Sequence, residues 1–151
     1  RNSIERSSAR ETAARVAAGT IARKMLEDFG ITIGSYVESI GEIYPVNNFS
    51  EKLFNNSISS NFSAQSISDK SDKSSVRVLE SEQEEKIIRK IKAAKKNGDT
   101  LGGTFLTFAT GVPVGLGSFM NYDTKLDGEI AQSIMSINAV KAVFSIKSFG
   151  F

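Results

Sequence analysis

Apolar residues recur along this chain at two spacings, and the alternation between the two outlines its elements. From Ser8 to Phe29 the spacing is helical. With each residue advancing about 100°, Ala14, Ala17, Ala18, Ile21 and Met25 share one sector, which predicts an inner face rich in alanine. Gly30 suits the left-handed stop of that helix. Ile31 to Tyr44 reads as extended through Ile31, Ile33, Tyr36, Val37, Ile40 and Ile43, with Gly34 and Gly41 suggesting bulges or breaks and Pro45 ending it. Val76 to Leu79 suits a short strand. From Ser81 to Asn97 the helical period returns, with Ile87, Ile88 and Ile91 inside. Thr104 to Thr110 is apolar on both faces through Phe105, Leu106 and Phe108, which predicts a well-covered strand. A third amphipathic helix follows from Lys125 to Ile137, with Leu126, Ile130, Ile134 and Ile137 in line. The last run alternates Val140, Ala142, Phe144 and Ile146 with Lys141, Val143, Ser145 and Lys147, the signature of a half-buried strand. The fold class is therefore α+β, with mainly antiparallel strands covered by helices.

Polar residues punctuate these runs. Ser8 and Glu11, and again Ser81 and Glu84, have the spacing of a capping box. Glycine-rich turns lie at 98–103 and 111–117. Residues 46–75 hold ten serines and five asparagines with few bulky apolar groups, and read as a loop or partly ordered insertion. Phe54, Ile58 and Phe62, four residues apart, would allow one short helix to dock there.

Composition narrows the chemistry. The 151 residues include no cysteine and no histidine, which removes disulfides, thiol chemistry and the commonest acid–base and metal-binding side chain. Hydrophobic content of 40% and charged content of 24% are those of a soluble globular domain. The net charge of +2 is too mild to indicate nucleic acid or membrane. No apolar run reaches the length of a membrane span and no leader pattern opens the chain, so a cytoplasmic location is expected. The basic cluster from Lys86 to Lys96 has no interleaved aromatic residues and reads as a solvated helix face. The chain opens at Arg1 without a methionine and stops directly after a strand-like run, so both ends are expected to be cut.

Charge is uneven at the start. Arg1, Arg6, Arg10, Arg15, Arg23 and Lys24 face only Glu5 and Glu11 within the first 25 residues. A helix start carries unpaired N–H groups and the positive end of the helix dipole, both suited to an anion. Arg10 falls in the sector of Ala14, Ala17, Ala18, Ile21 and Met25. A guanidinium on a buried face needs an anionic partner, either a ligand phosphate or carboxylate, or Glu5 or Glu11 from within the chain.

The string Arg6-Ser7-Ser8-Ala9-Arg10-Glu11-Thr12-Ala13-Ala14-Arg15-Val16-Ala17-Ala18-Gly19 closely resembles the central signature of chorismate synthases. Four more blocks resemble that family in its order: the strand from Gly30 to Gly41, the helix end and turn from Ala94 to Gly103, Thr110 to Ser118, and Met135 to Lys141. The likeness covers nearly the whole chain outside the Ser/Asn-rich stretch, as the central portion of a single domain. It implies part of the family's β-α-β sandwich. It also implies trans-1,4-elimination of phosphate from 5-enolpyruvylshikimate-3-phosphate to give chorismate, with reduced FMN, in the shikimate pathway of aromatic amino acid biosynthesis. A homotetramer is implied for the full-length protein.

By the same resemblance, Arg6, Ser7, Ser8, Asn138 and Ala139 contact FMN, and Arg10 faces the anionic substrate. Read without the family, Asn138 is a helix C-cap, Ser7 and Ser8 are N-caps, and Asp99 is a turn former outside the site. The family's acid–base histidines precede the Arg6-Ser7-Ser8 block, and its catalytic aspartate lies beyond Phe151. The tail from Val143 to Phe151 differs from the family's Glu-Ile-Gly-x-Gly-Phe pattern. No catalytic residue is therefore expected in this chain, and the 151 residues alone are expected to be inactive. The alternative reading is a non-catalytic remnant that binds an anion or a partner subunit.

Overall fold

A computed structural model of the chain describes residue 3 and residues 10–47, 49–54 and 63–144. In order these form α1 (Arg10–Asp28), β1 (Thr32–Ile40), α2 (Phe49–Phe54), α3 (Ala64–Ser71), α4 (Ser81–Lys96), β2 (Gly103–Thr110), a single 3-10 turn (Tyr122–Thr124) and α5 (Leu126–Met135). They fall into two compact units, one made of residues 31–111 and the other of residues 1–30 with 112–151.

In the unit 31–111, β1 and β2 pair antiparallel, with Thr32 opposite Thr110 and Tyr36 opposite Leu106. The register shifts between Val37 and Ser39, so the bulge sits at Glu38 rather than at either glycine. Gly41 does break the strand. With φ of 59° at Gly41 and 66° at Glu42, the chain reverses tightly and Ile43 N donates to Ile40 O at 3.2 Å. Gly34 has another use. A Cβ there would stand 2.7 Å from the Ala64 carbonyl oxygen and 2.8 Å from the Phe108 ring.

That close approach lets α3 lie on β1. Its buried residues, Ala64, Ser68 and Ser71, are all small and fall on one helical face. Ser68 Oγ accepts from Ser35 N at 3.3 Å, and Ser71 Oγ donates to Ser35 O at 3.2 Å. The stretch 46–75, expected as a loop or partly ordered insertion with room for one short helix, holds helices at 49–54 and 64–71, the second packing through small side chains. Ile58 and Phe62, the other candidates for docking a helix, lie outside the described residues. The strand expected at Val76 to Leu79 does not form either. Arg77 takes φ of 60°, which interrupts extended backbone. Its carbonyl accepts from Val37 N at 2.9 Å, and its guanidinium reaches Asp72 and Ser35 O.

The centre of this unit is Tyr36, 2% exposed, whose ring meets Phe49 edge-on at 5.7 Å between centroids. Burial, and then the Glu38 charge, push the Tyr36 phenol pKa far above its ordinary value. The strand expected to be well covered is only partly so, with Phe105 51% exposed. Among the described residues β2 has one strand neighbour, β1, in a two-stranded sheet.

In α4 the buried positions are Gln83, Ile87 and Ala94, whereas Ile88 is half-buried and Ile91 exposed. The inward sector is therefore displaced from the expected Ile87, Ile88 and Ile91. Gln83 explains the displacement, because its Nε2 donates to Glu38 O at 2.7 Å and so turns the helix toward the bulge. The capping box expected at Ser81 and Glu84 is absent. Glu80 is the N-cap residue, and the Glu84 carboxylate accepts instead from Ser75 N at 2.9 Å and Ser75 Oγ at 2.6 Å. At the other end Gly98 (φ 69°) stops the helix, with Gly98 N to Lys95 O at 3.3 Å and Asp99 N to Ala94 O at 2.9 Å, the double bond of a Schellman motif.

Glu80 also holds the segment before it, accepting from Val46 N and Asn47 N, each at 2.9 Å. Burial acts to raise its pKa, but the N–H donors of Asn47 and Val46 outweigh it and hold the carboxyl below its ordinary 4.5. A folded-state pKa below the unfolded one stabilises above the unfolded value, and that stabilisation is lost as pH falls through the folded value. Thermal midpoints measured against pH should therefore fall as pH drops below about 4.5, and Glu80→Gln should flatten that part of the profile. Parallel profiles for the two proteins would refute the role given to Glu80.

In the unit of residues 1–30 and 112–151, α1 ends as expected at Gly30 (φ 77°), whose N–H donates to Glu27 O at 2.9 Å. Its alanine-rich sector is not an inner face, since Ile21 is 75% and Met25 61% exposed. The contact that α1 makes with the end of α5 runs through Arg15, on a neighbouring sector. Helix α5 is shorter than the expected Lys125 to Ile137 and passes into turns from Ser136 to Ala139. Residues 140–144 are not a strand, and residues 145–147 of that expected strand lie outside the described residues. Among the described residues no helix is long and apolar enough to cross a membrane.

Candidate functional site

Arg10 is the first residue of α1 as described, with Glu11 beside it in the first turn. Arg10 is exposed, so the inward placement expected from the helical wheel is not what the structure has. The sector is right and its burial is not, because the whole sector faces outward. Arg6, Ser7 and Ser8, with the capping box of Ser8, lie outside the described residues.

One turn along α1, Glu11 and Arg15 pair four residues apart, with Arg15 Nε at 2.9 Å and 2.7 Å from the two Glu11 oxygens. Glutamate preceding the cation is the favourable order on a helix. That hydrogen bond is the main reason the Arg15 pKa lies above its ordinary value. The rest of the guanidinium leaves α1, with NH1 donating to Ser136 Oγ at 2.8 Å and NH2 to Ser136 O at 3.1 Å.

Ser136 is the C-cap residue of α5, and its carbonyl is one of those a helix end leaves without an intrahelical donor. Two residues on, Asn138 and Ala139 occupy a reversed turn closed by Val140 N to Ile137 O at 3.3 Å. Ala139 has φ of 70°, a conformation that type II turns reserve for glycine or asparagine. An alanine there costs about 1 kcal/mol. Both Asn138 and Ala139 are exposed, and Asn138 is not the helix cap. Arg10, Asn138 and Ala139, far apart in sequence, therefore belong to one compact unit. Arg15 and Ser136 were not singled out from the sequence. The Glu11–Arg15 spacing was visible there, but nothing local marks Ser136 as a partner 121 positions away. Among the described residues no group of three or more potential metal ligands exists.

The family model for chorismate synthase matches residues 1–149. The chain belongs to the chorismate synthase family. The chorismate synthase of Chlorobaculum tepidum is 49% identical to it over 142 residues, which are 93% of this chain and 34% of that protein. That of Oceanobacillus iheyensis is 44% identical over 143 residues, again 34% of its own length. A solved crystal structure of chorismate synthase aligns with a TM-score of 0.79 at 42% identity, over 93% of this chain and 41% of the other. The chain thus spans about a third of the length of the curated relatives it matches. Its α+β architecture of antiparallel strands and packed helices is that of part of the chorismate synthase fold.

Proposed function

We propose that this chain supplies the flavin and substrate-anion sites of a chorismate synthase, which eliminates phosphate and a ring hydrogen in 1,4-trans fashion from 5-enolpyruvylshikimate-3-phosphate to give chorismate. The observation that carries this reading is the shared compact unit of Arg10, Asn138 and Ala139, drawn from opposite ends of a chain in this family. The donor set suits FMN. Asn138 carries an amide, a group able both to donate and to accept, on an exposed turn with the left-handed Ala139 beside it. Arg6, Ser7 and Ser8 would complete the flavin contacts. When bound in reduced form, FMN supplies electron density to the elimination without net oxidation of the substrate. Arg10, at the start of the described helix, would hold an anionic group of the substrate and favour the departing phosphate.

The same reading makes the functional protein a cytoplasmic homotetramer. It makes the 151 residues alone inactive, because they hold no histidine for proton transfer. The test is anaerobic turnover of 5-enolpyruvylshikimate-3-phosphate by a full-length synthase carrying this chain, with and without reduced FMN. One phosphate released per chorismate formed, only with the flavin, is the expected result. The 151-residue chain run alongside should form none. Turnover that is absent, or independent of flavin, would overturn the proposal.

A further inference from the structure

We infer that Arg15 is a positioning residue, holding the turn that carries Asn138 and Ala139 against the helix that begins at Arg10. This rests on the reading that those residues serve FMN and the substrate. The guanidinium is divided between two elements: Nε stays with Glu11 on α1, while NH1 and NH2 cross to Ser136 at the end of α5. Glu11 thereby fixes the orientation of the planar group, and the two outward N–H donors point at one residue. A lysine could not do this, since its single ammonium on a flexible stem lacks the rigid geometry that serves three acceptors at once.

Ser136 is fully engaged on its side. Its Oγ accepts from Arg15 and donates to Ser133 O at 2.6 Å, its carbonyl accepts from Arg15, and its N–H donates to Gln132 O at 3.1 Å. The left-handed Ala139 lies three residues further on. A strained residue persists only where its surroundings over-determine it. The Arg15 bridge is such a surrounding, fixing where the turn begins. Losing it would loosen the start of the turn that carries Asn138 and Ala139, at a cost in affinity.

The experiment uses a full-length synthase carrying this chain and titrates oxidised FMN, read by flavin fluorescence, alongside thermal midpoints. Wild type should bind saturably. Arg15→Ala and Arg15→Lys should each raise the FMN dissociation constant about tenfold, lysine failing to rescue, with midpoints shifted by only a few degrees. Arg15→Lys keeps the charge and a partner for Glu11, so it serves if the alanine variant does not fold. Dissociation constants equal to wild type in the folded Arg15 variants would overturn the inference, even with lowered midpoints, by leaving Arg15 a purely structural bridge. No binding by wild type would overturn the flavin reading itself, and the inference with it.

Discussion

Replacing Arg10 by alanine in a full-length synthase carrying this chain should weaken binding of 5-enolpyruvylshikimate-3-phosphate by about tenfold to a hundredfold. A hydrogen bond to a charged partner contributes about 1.5–3 kcal/mol, and each 1.4 kcal/mol is tenfold in affinity. Two features of α1 favour the upper end. Arg10 is the first residue of the described helix, so its charge adds to the positive end of the dipole rather than opposing it. Its guanidinium can also bind a phosphate or carboxylate through two parallel bonds. Arg10→Lys should recover only part of the loss, keeping the charge without that geometry. Calorimetric titration with the substrate decides the matter, and unchanged affinity in the alanine variant would remove Arg10 from the site.

Gly103→Ala should produce the largest loss of stability. A Cβ at Gly103 would lie 2.3 Å from the Ser39 carbonyl oxygen and 3.3 Å from the Ile40 Cα. Both are backbone atoms of β1, so no side-chain rotation relieves the clash. The strands must part beside the Glu38 bulge, where Ser39 and Thr104 also share a side-chain hydrogen bond of 2.7 Å. Overpacking of this kind costs about 3 kcal/mol, which lowers a midpoint by on the order of 10 °C. Gly102→Ala is the internal control, since a Cβ there meets nothing within 4 Å. Differential scanning of the two variants should separate them clearly, and equal midpoints would contradict the packing described.

Much of this fold was legible because its elements follow single, local rules. Helices α1, α4 and α5 came from apolar periodicity, and their ends at Gly30 and Gly98 from the left-handed freedom of glycine. Strands β1 and β2 came from runs of branched and aromatic residues. The failures share a different cause. Ser81 and Glu84 match a capping box, but Glu84 bonds Ser75 instead, and only the folded chain brings that competitor near. Serine-rich sequence is read as loop because it lacks apolar groups. Helix α3 needs no bulky ones, because Gly34 lets its backbone come into contact with the strand. The alternation at Val140 to Lys147 carries a strand signal, but residues 140–144 have no strand neighbour among the described residues.

For the candidate site, local pattern marked Arg10 and its anion-attracting helix start, while the roles given to Asn138 and Ala139 came from family likeness alone. The left-handed φ at Ala139 was invisible, because alanine carries no signal for it. The bridge through Arg15 was invisible for a related reason. An arginine on a helix advertises its neighbour four residues away and says nothing of a serine at the far end of the chain.

The bridge from Arg15 to Ser136 also sets an order of events during synthesis. The unit 31–111 is continuous in sequence and complete once its last strand has left the ribosome. The other unit is split around it, so the bond from Arg15 to Ser136 can form only after the whole of 31–111 has been made. Domains fold as they emerge, at about 5–20 residues per second. Arg15 therefore waits several seconds for Ser136, which follows 121 residues later, and until then the turn that carries Asn138 and Ala139 has no anchor on α1 to form against.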